Sequence, residues 1–109
     1  MDRPQNVTLD SSWEQFTLKC RVNVSSPNGM DWTGELNGQE NMRLCESVNS
    51  EVYKCMPNYS VERPDNKTMN LIVKKVDFQN LSVAGKYCCF PDDGQGTISA
   101  CAYVTETGQ

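Results

Sequence analysis

Residues 83–90 read Val-Ala-Gly-Lys-Tyr-Cys-Cys-Phe, and the fold follows from how this run must sit in a sheet. Side chains alternate along an extended strand, so Tyr87 and Cys89 share one face while Lys86, Cys88 and Phe90 share the other. Downstream, past a Gly94-Gln95-Gly96 tip, a second strand over 97–105 sets Ile98, Ala100, Ala102 and Val104 against outward Ser99, Cys101 and Tyr103. Upstream, Met69, Leu71 and Val73, closed by Val76, make another inward row. The same period of two recurs in Phe16, Leu18, Cys20 and Val22, and in Met30, Trp32 and Leu36, with shorter strands over 43–47 and 52–56. Nowhere does a dozen-residue stretch repeat apolar side chains at helical spacing. Eight or nine short strands bounded by turn residues predict an all-β, two-sheet sandwich.

Length and charge narrow the function. The 109 residues suit one domain, and a −4 net charge with no basic cluster beyond Lys74-Lys75 argues against nucleic acid or anionic lipid as the partner. There is no histidine, which excludes histidine-based nucleophile systems, histidine general bases and histidine-containing zinc sites. Two stretches invite a chemical reading. Asp92-Asp93 offers too few oxygens for calcium, and Glu35 to Glu40 reads as a hairpin with Asn37-Gly38 at its turn rather than as a glycosidase pair. The expectation is a non-enzyme without metal or cofactor.

Six cysteines in so short a chain read as disulfides of an oxidising compartment. No C-x-x-C pair exists, and adjacent Cys88 and Cys89 point to opposite faces, which disfavours a shared metal. Five glycosylation sequons, at Asn6, Asn23, Asn58, Asn66 and Asn80, point independently to an extracellular glycoprotein. No charged n-region and apolar h-region open the chain and its apolar runs are only a few residues long, so neither a signal peptide nor a membrane span is expected in it, and Met1-Asp2-Arg3 reads as the start of an excised fragment of a secreted protein or of a single-pass receptor's ectodomain.

Cys20, Trp32, Gly85 and the Tyr87-Cys88-Cys89 run, with Leu71-Ile72-Val73-Lys74-Lys75-Val76 ahead of them, resemble the signature of immunoglobulin-like domains. That resemblance implies a Cys20–Cys89 bridge between the sheets, Trp32 packed against it and Tyr87 anchoring a corner. The long interval between the two cysteines implies extra strands and a variable (V-set) or intermediate type. The chain departs from the family at Val83, where an aspartate is usual, and in a longer approach to Tyr87. Gly94-Gln95-Gly96-Thr97 looks like an antigen-receptor joining segment, but Asp93 stands where that segment has an aromatic residue. The tandem cysteines resemble those of T-cell immunoglobulin and mucin receptors. Phe90-Pro91-Asp92-Asp93 replaces their lipid-binding loop, so phosphatidylserine binding is not implied.

With Cys20 and Cys89 paired, the other four cysteines allow three connectivities. Cys88 and Cys101 lie symmetrically about the Gly94-Gln95 tip, and Cys45 and Cys55 symmetrically about Ser50, so two hairpin bridges are expected. The alternative ties the 45–55 region to the outer sheet face, a link the mucin-type receptors use.

The sequons avoid residues 26–57 and 83–109. In the variable-type arrangement that assigns sugars to one sheet and leaves the other bare. Outward Phe90 and Tyr103, with Lys86, Asp31 and Glu35 beside them, give the bare face the aromatic and mixed-charge character of a protein-binding patch. The expectation is a cell-surface recognition or adhesion module whose partner is a protein, including a second copy on an opposing cell. Its distance from vertebrate receptors suits an invertebrate self/non-self or immune receptor. The competing expectation is a secreted, lectin-like defence domain that binds carbohydrate.

Overall fold

The computed structural model describes residues 5–21, 30–36, 38–48, 52–65, 67–75, 83–91 and 100–106. Nine strands occupy them: β1 (Val7–Leu9), β2 (Gln15–Arg21), β3 (Met30–Leu36), β4 (Gln39–Ser47), β5 (Tyr53–Cys55), β6 (Tyr59–Glu62), β7 (Thr68–Lys74), β8 (Gly85–Pro91) and β9 (Ala100–Glu106). They form a six-stranded sheet in the order β1-β9-β8-β3-β4-β5 and a three-stranded sheet in the order β2-β7-β6. All pairings are antiparallel except β1 with β9. The inward Val22, Val76 and Ile98 of the sequence reading lie outside the described residues, as do Asp92, Asp93 and the Gly94-Gln95 tip.

Alternation produces the core. Phe16, Leu18 and Cys20 of β2 and Met69, Leu71 and Val73 of β7 face Met30, Trp32, Leu36, Tyr87, Cys89, Ala100, Ala102 and Val104 of the larger sheet, all buried. Each large apolar side chain so placed contributes about 1.5–3 kcal/mol relative to exposure. Trp32 is fully enclosed and its indole Nε1 has no hydrogen-bond partner, so what it contributes is packing.

The three disulfides are Cys20–Cys89, Cys45–Cys55 and Cys88–Cys101, leaving no free cysteine. Cys20–Cys89 crosses from β2 to β8 through the core. Each of the others joins residues directly opposite in an antiparallel ladder, so the link from the 45–55 region to the outer face does not form. Cys88 sits between Thr33 and Cys101 in register, on the side away from the core.

The β3–β4 pair departs from simple alternation. Trp32 stands opposite Cys45 and Thr33 opposite Arg43, so Leu44 is an extra residue in a bulge. Consecutive Leu44 and Cys45 therefore both turn inward and are fully buried. β4 also begins at Gln39, earlier than the alternation around Arg43 suggested: Gln39 already pairs with Leu36, and Gly38 just before it takes φ 79°.

Two features fix the corner before β8. The Tyr87 hydroxyl donates to the Val83 carbonyl at 2.6 Å, and the Glu106 carboxylate accepts the Val83 N–H at 2.8 Å. The corner thus uses a backbone carbonyl, and the usual aspartate at position 83 is not needed for it. Gly85 has φ 155°, and a Cβ there would run into the Glu35 carbonyl oxygen, so β8 can pass β3 at this point only with glycine.

Candidate functional site

The outward face of the six-stranded sheet is built by register. Glu35, Lys86 and Tyr103 form one row across β3, β8 and β9; Arg43, Thr33, Cys88 and Cys101 form the next; Asp31 and Phe90 stand opposite each other in a third. All five residues singled out for partner binding therefore fall on one face. Their exposure differs. Tyr103 is 54% exposed and Glu35 is exposed, whereas Lys86 and Phe90 are half-buried.

Asp31 is engaged within the sheet. Its side chain is only 14% exposed, accepts the Ser47 backbone N–H at 2.9 Å and pairs with Arg43 at 3.5 Å. Arg43 also reaches Glu46 at 3.6 Å. The carboxylate ties β3 to β4.

The sequence reading missed the other end of the face. From inward Cys45 and Cys55, alternation sends Glu46, Val48, Val52, Lys54 and Met56 outward. Val48 is 62% exposed, Val52 50% and Met56 38%, and the Val48 N–H donates to the Val52 carbonyl at 2.8 Å, which holds the two valines together. Arg43, Glu46, Lys54 and Met56 wall a shallow recess of about 240 Å³. The signal was available, since Val48 and Val52 are as symmetric about Ser50 as the cysteines are. Among the described residues these three and Tyr103 are the exposed large apolar side chains, and all four lie on this face. The outer face of the three-stranded sheet carries Thr17, Lys19, Arg21, Ser60, Glu62 and Thr68, with half-buried Ile72 its apolar member between Thr17 and Ser60.

Of the sequons, Asn23, Asn66 and Asn80 lie outside the described residues. Asn58 sits in the turn entering β6 with φ 74°, at the edge strand of the smaller sheet. Asn6 corrects the expected division of sugars. β1 pairs with β9, so Asn6 stands at the edge of the six-stranded sheet, and its Oδ1 accepts the Tyr103 N–H at 2.9 Å. Alternation in three residues cannot show which sheet a first strand joins.

Among the described residues no group of three or more histidine, cysteine, aspartate or glutamate side chains is arranged to hold a metal. The titrating groups that depart most from ordinary behaviour are structural. Burial, then the neighbouring Tyr59 hydroxyl, push the Tyr87 phenol far above its usual range, and burial likewise raises Tyr59.

A six-stranded sheet over a three-stranded one, bridged from β2 to β8 against a buried tryptophan with a tyrosine corner beside it, is an immunoglobulin-like sandwich of the variable type. Among solved structures the chain is similar to the NK cell receptor Nkp44, described as a triggering partner in natural cytotoxicity. The match has a TM-score of 0.65 at 13% identity and covers 98% of this chain and 100% of that one. No family model matches the sequence, and no curated protein matches it significantly. At that identity the likeness establishes the fold.

Proposed function

We propose that this chain is an extracellular recognition domain that binds a protein partner through the outward face of its six-stranded sheet. The observation that carries the reading is the segregation of exposed large apolar side chains: Tyr103 at one end and Val48, Val52 and Met56 at the other, with none among the described residues of the opposite sheet. Lys86, Glu35, Arg43, Glu46 and Lys54 lie between and around them and supply polar contacts of both signs. Large apolar groups grouped on one face and rimmed by charge mark interaction sites. Likeness to an immune receptor's architecture, three disulfides and the sequon density support a place outside the cell.

The test is sedimentation velocity of the glycosylated domain over a concentration series, with a glycan array probed in parallel. Val48→Asp, Phe90→Asp and Tyr103→Asp are compared with Lys19→Glu on the opposite sheet. The reading expects association that the first three substitutions weaken and the last does not. Glycan binding without protein association, or association sensitive only to Lys19→Glu, would overturn it.

A further inference from the structure

We infer that the outer face of the smaller sheet carries a second binding site, for an acidic sugar, in which Arg21 and Lys19 hold the ligand's carboxylate and the buried Asn70 carboxamide accepts one of its hydroxyls. The inference does not rest on the protein-binding face, which belongs to the other sheet. A groove of about 540 Å³, within the size range of small-molecule sites, has Gln5 and Asn6 on one wall and Thr17, Lys19, Arg21 and Thr68 on the other. Alternation builds that second wall. β2 sends Phe16, Leu18 and Cys20 into the core, so every residue between them faces out.

The chemistry of the groove points to an anion with polar neighbours. Each of those six side chains can donate a hydrogen bond, two are cations, and no acid lines the groove. On a chain of net charge −4 that positive potential is local. The nearest acids leave it standing. Asp65 gives its Oδ1 to the Lys67 N–H at 2.8 Å, and Glu62 stands on β6, on the far side of Asn70. Neither Lys19 nor Arg21 is ion-paired among the described residues. The Arg21 guanidinium is a planar fork that matches a carboxylate with two parallel hydrogen bonds.

Asn70 is the second observation. It stands opposite Lys19 and next to Thr68 in the outward row of β7, yet it is only 8% exposed and its Oδ1 has no hydrogen-bond partner. A buried, unpaired oxygen on the solvent side of a sheet costs stability, and a ligand donor accounts for its retention. In register Asn70 lies between Lys19 and Glu62, so it sits beneath the long, exposed side chains of both neighbours. When Lys19 turns toward a carboxylate in the groove it uncovers Oδ1, and a hydroxyl of the same ligand then donates to it. An acidic sugar brings both groups on one ring. A simple anion such as sulfate has no donor for Asn70, and a neutral sugar has nothing for Arg21.

The experiment uses the whole secreted chain with its disulfides intact, carrying Thr8→Val so that no sugar is attached at Asn6 in the groove wall. Methyl glucuronide is titrated against it, with methyl glucoside, which lacks only the carboxylate, and sulfate as controls, and binding is followed through the backbone amide NMR signals. The expected result is saturable binding of the glucuronide alone, with shifts grouped on residues 17–21 and 68–70. Arg21→Gln should weaken it roughly tenfold and Asn70→Leu about fivefold, the effects of losing a charge-assisted and a neutral hydrogen bond, while Lys86→Glu on the other sheet changes nothing. Unfolding distinguishes a ligand contact from a structural one. Leucine branches as asparagine does and removes the orphan oxygen, so Asn70→Leu should keep the parent's denaturation midpoint or raise it. No saturable glucuronide binding, equal responses to glucoside or sulfate, shifts centred on the six-stranded sheet, or a destabilised Asn70→Leu would overturn the inference.

Discussion

Replacing Tyr87 with phenylalanine tests the corner in two ways at once. The hydroxyl donates to the Val83 carbonyl at 2.6 Å from a fully buried ring, so its loss should cost about 1.5 kcal/mol at neutral pH. For a domain of this size that lowers Tm by about 6 °C. Alkaline pH adds a second, opposite effect. Burial raises the Tyr87 phenol well above its unfolded value of 10.0, so the unfolded chain releases a proton that the folded one keeps. Stability from this group is therefore complete below pH 10 and declines above it by about 1.4 kcal/mol per pH unit until the folded group itself titrates. The phenylalanine variant lacks this decline. The stability gap between the two proteins should be about 1.5 kcal/mol at neutral pH and close near about pH 11. Guanidinium unfolding at a series of pH values measures it directly. Parallel stability curves across that range, or a variant as stable as the parent at neutral pH, would refute the reasoning.

Other substitutions probe the remaining supports. Gly85→Ala should destabilise by more than about 2 kcal/mol, visible as lost secretion or a depressed denaturation midpoint, because its Cβ meets the Glu35 carbonyl at a φ that only glycine tolerates. Asp31→Ala should cost about 1–2 kcal/mol in equilibrium unfolding, since it leaves the Ser47 N–H without its acceptor and Arg43 without one of its two carboxylates. Replacing disulfides pairwise by alanine should rank by loop length. Calorimetry should show the largest loss, about 4 kcal/mol, for Cys20–Cys89 with its separation of 69, and about 3 kcal/mol each for Cys88–Cys101 and Cys45–Cys55 with separations of 13 and 10.

Alternation made the two-sheet architecture legible because a strand with one face in the core must place its apolar side chains every second residue, as β2 does without exception. Hairpin symmetry is legible for a related reason: residues equidistant from a tip meet across the ladder, as Cys88 meets Cys101. What the sequence hides is whatever depends on another strand. The bulge that turns both Leu44 and Cys45 inward exists because β4 carries a residue more than its partner, and no local pattern announces it. Asp31 reads as an outward charge, yet what occupies it is the Ser47 amide sixteen residues away and Arg43 beside it. Asn6 reads as part of a sugared sheet until β1 is seen to pair with β9. The apolar cluster of Val48, Val52 and Met56 follows from parity counted out from Cys45 and Cys55, but only once those two are known to face each other across the β4–β5 ladder.

A docking face exists here only if Cys20, Cys89 and Cys45 turn into the sandwich while Cys88 and Cys101 look out. Peptide mapping of the secreted, unreduced protein decides it. The account predicts three linked species, joining position 20 to 89, 45 to 55 and 88 to 101, with no free thiol. Because residues 88 and 89 are adjacent, the digest must cut between them or the fragments be sequenced by tandem mass spectrometry. A species joining Cys45 or Cys55 to Cys88 or Cys101, or Cys20 to Cys88, would reverse which side chains meet solvent and contradict the account.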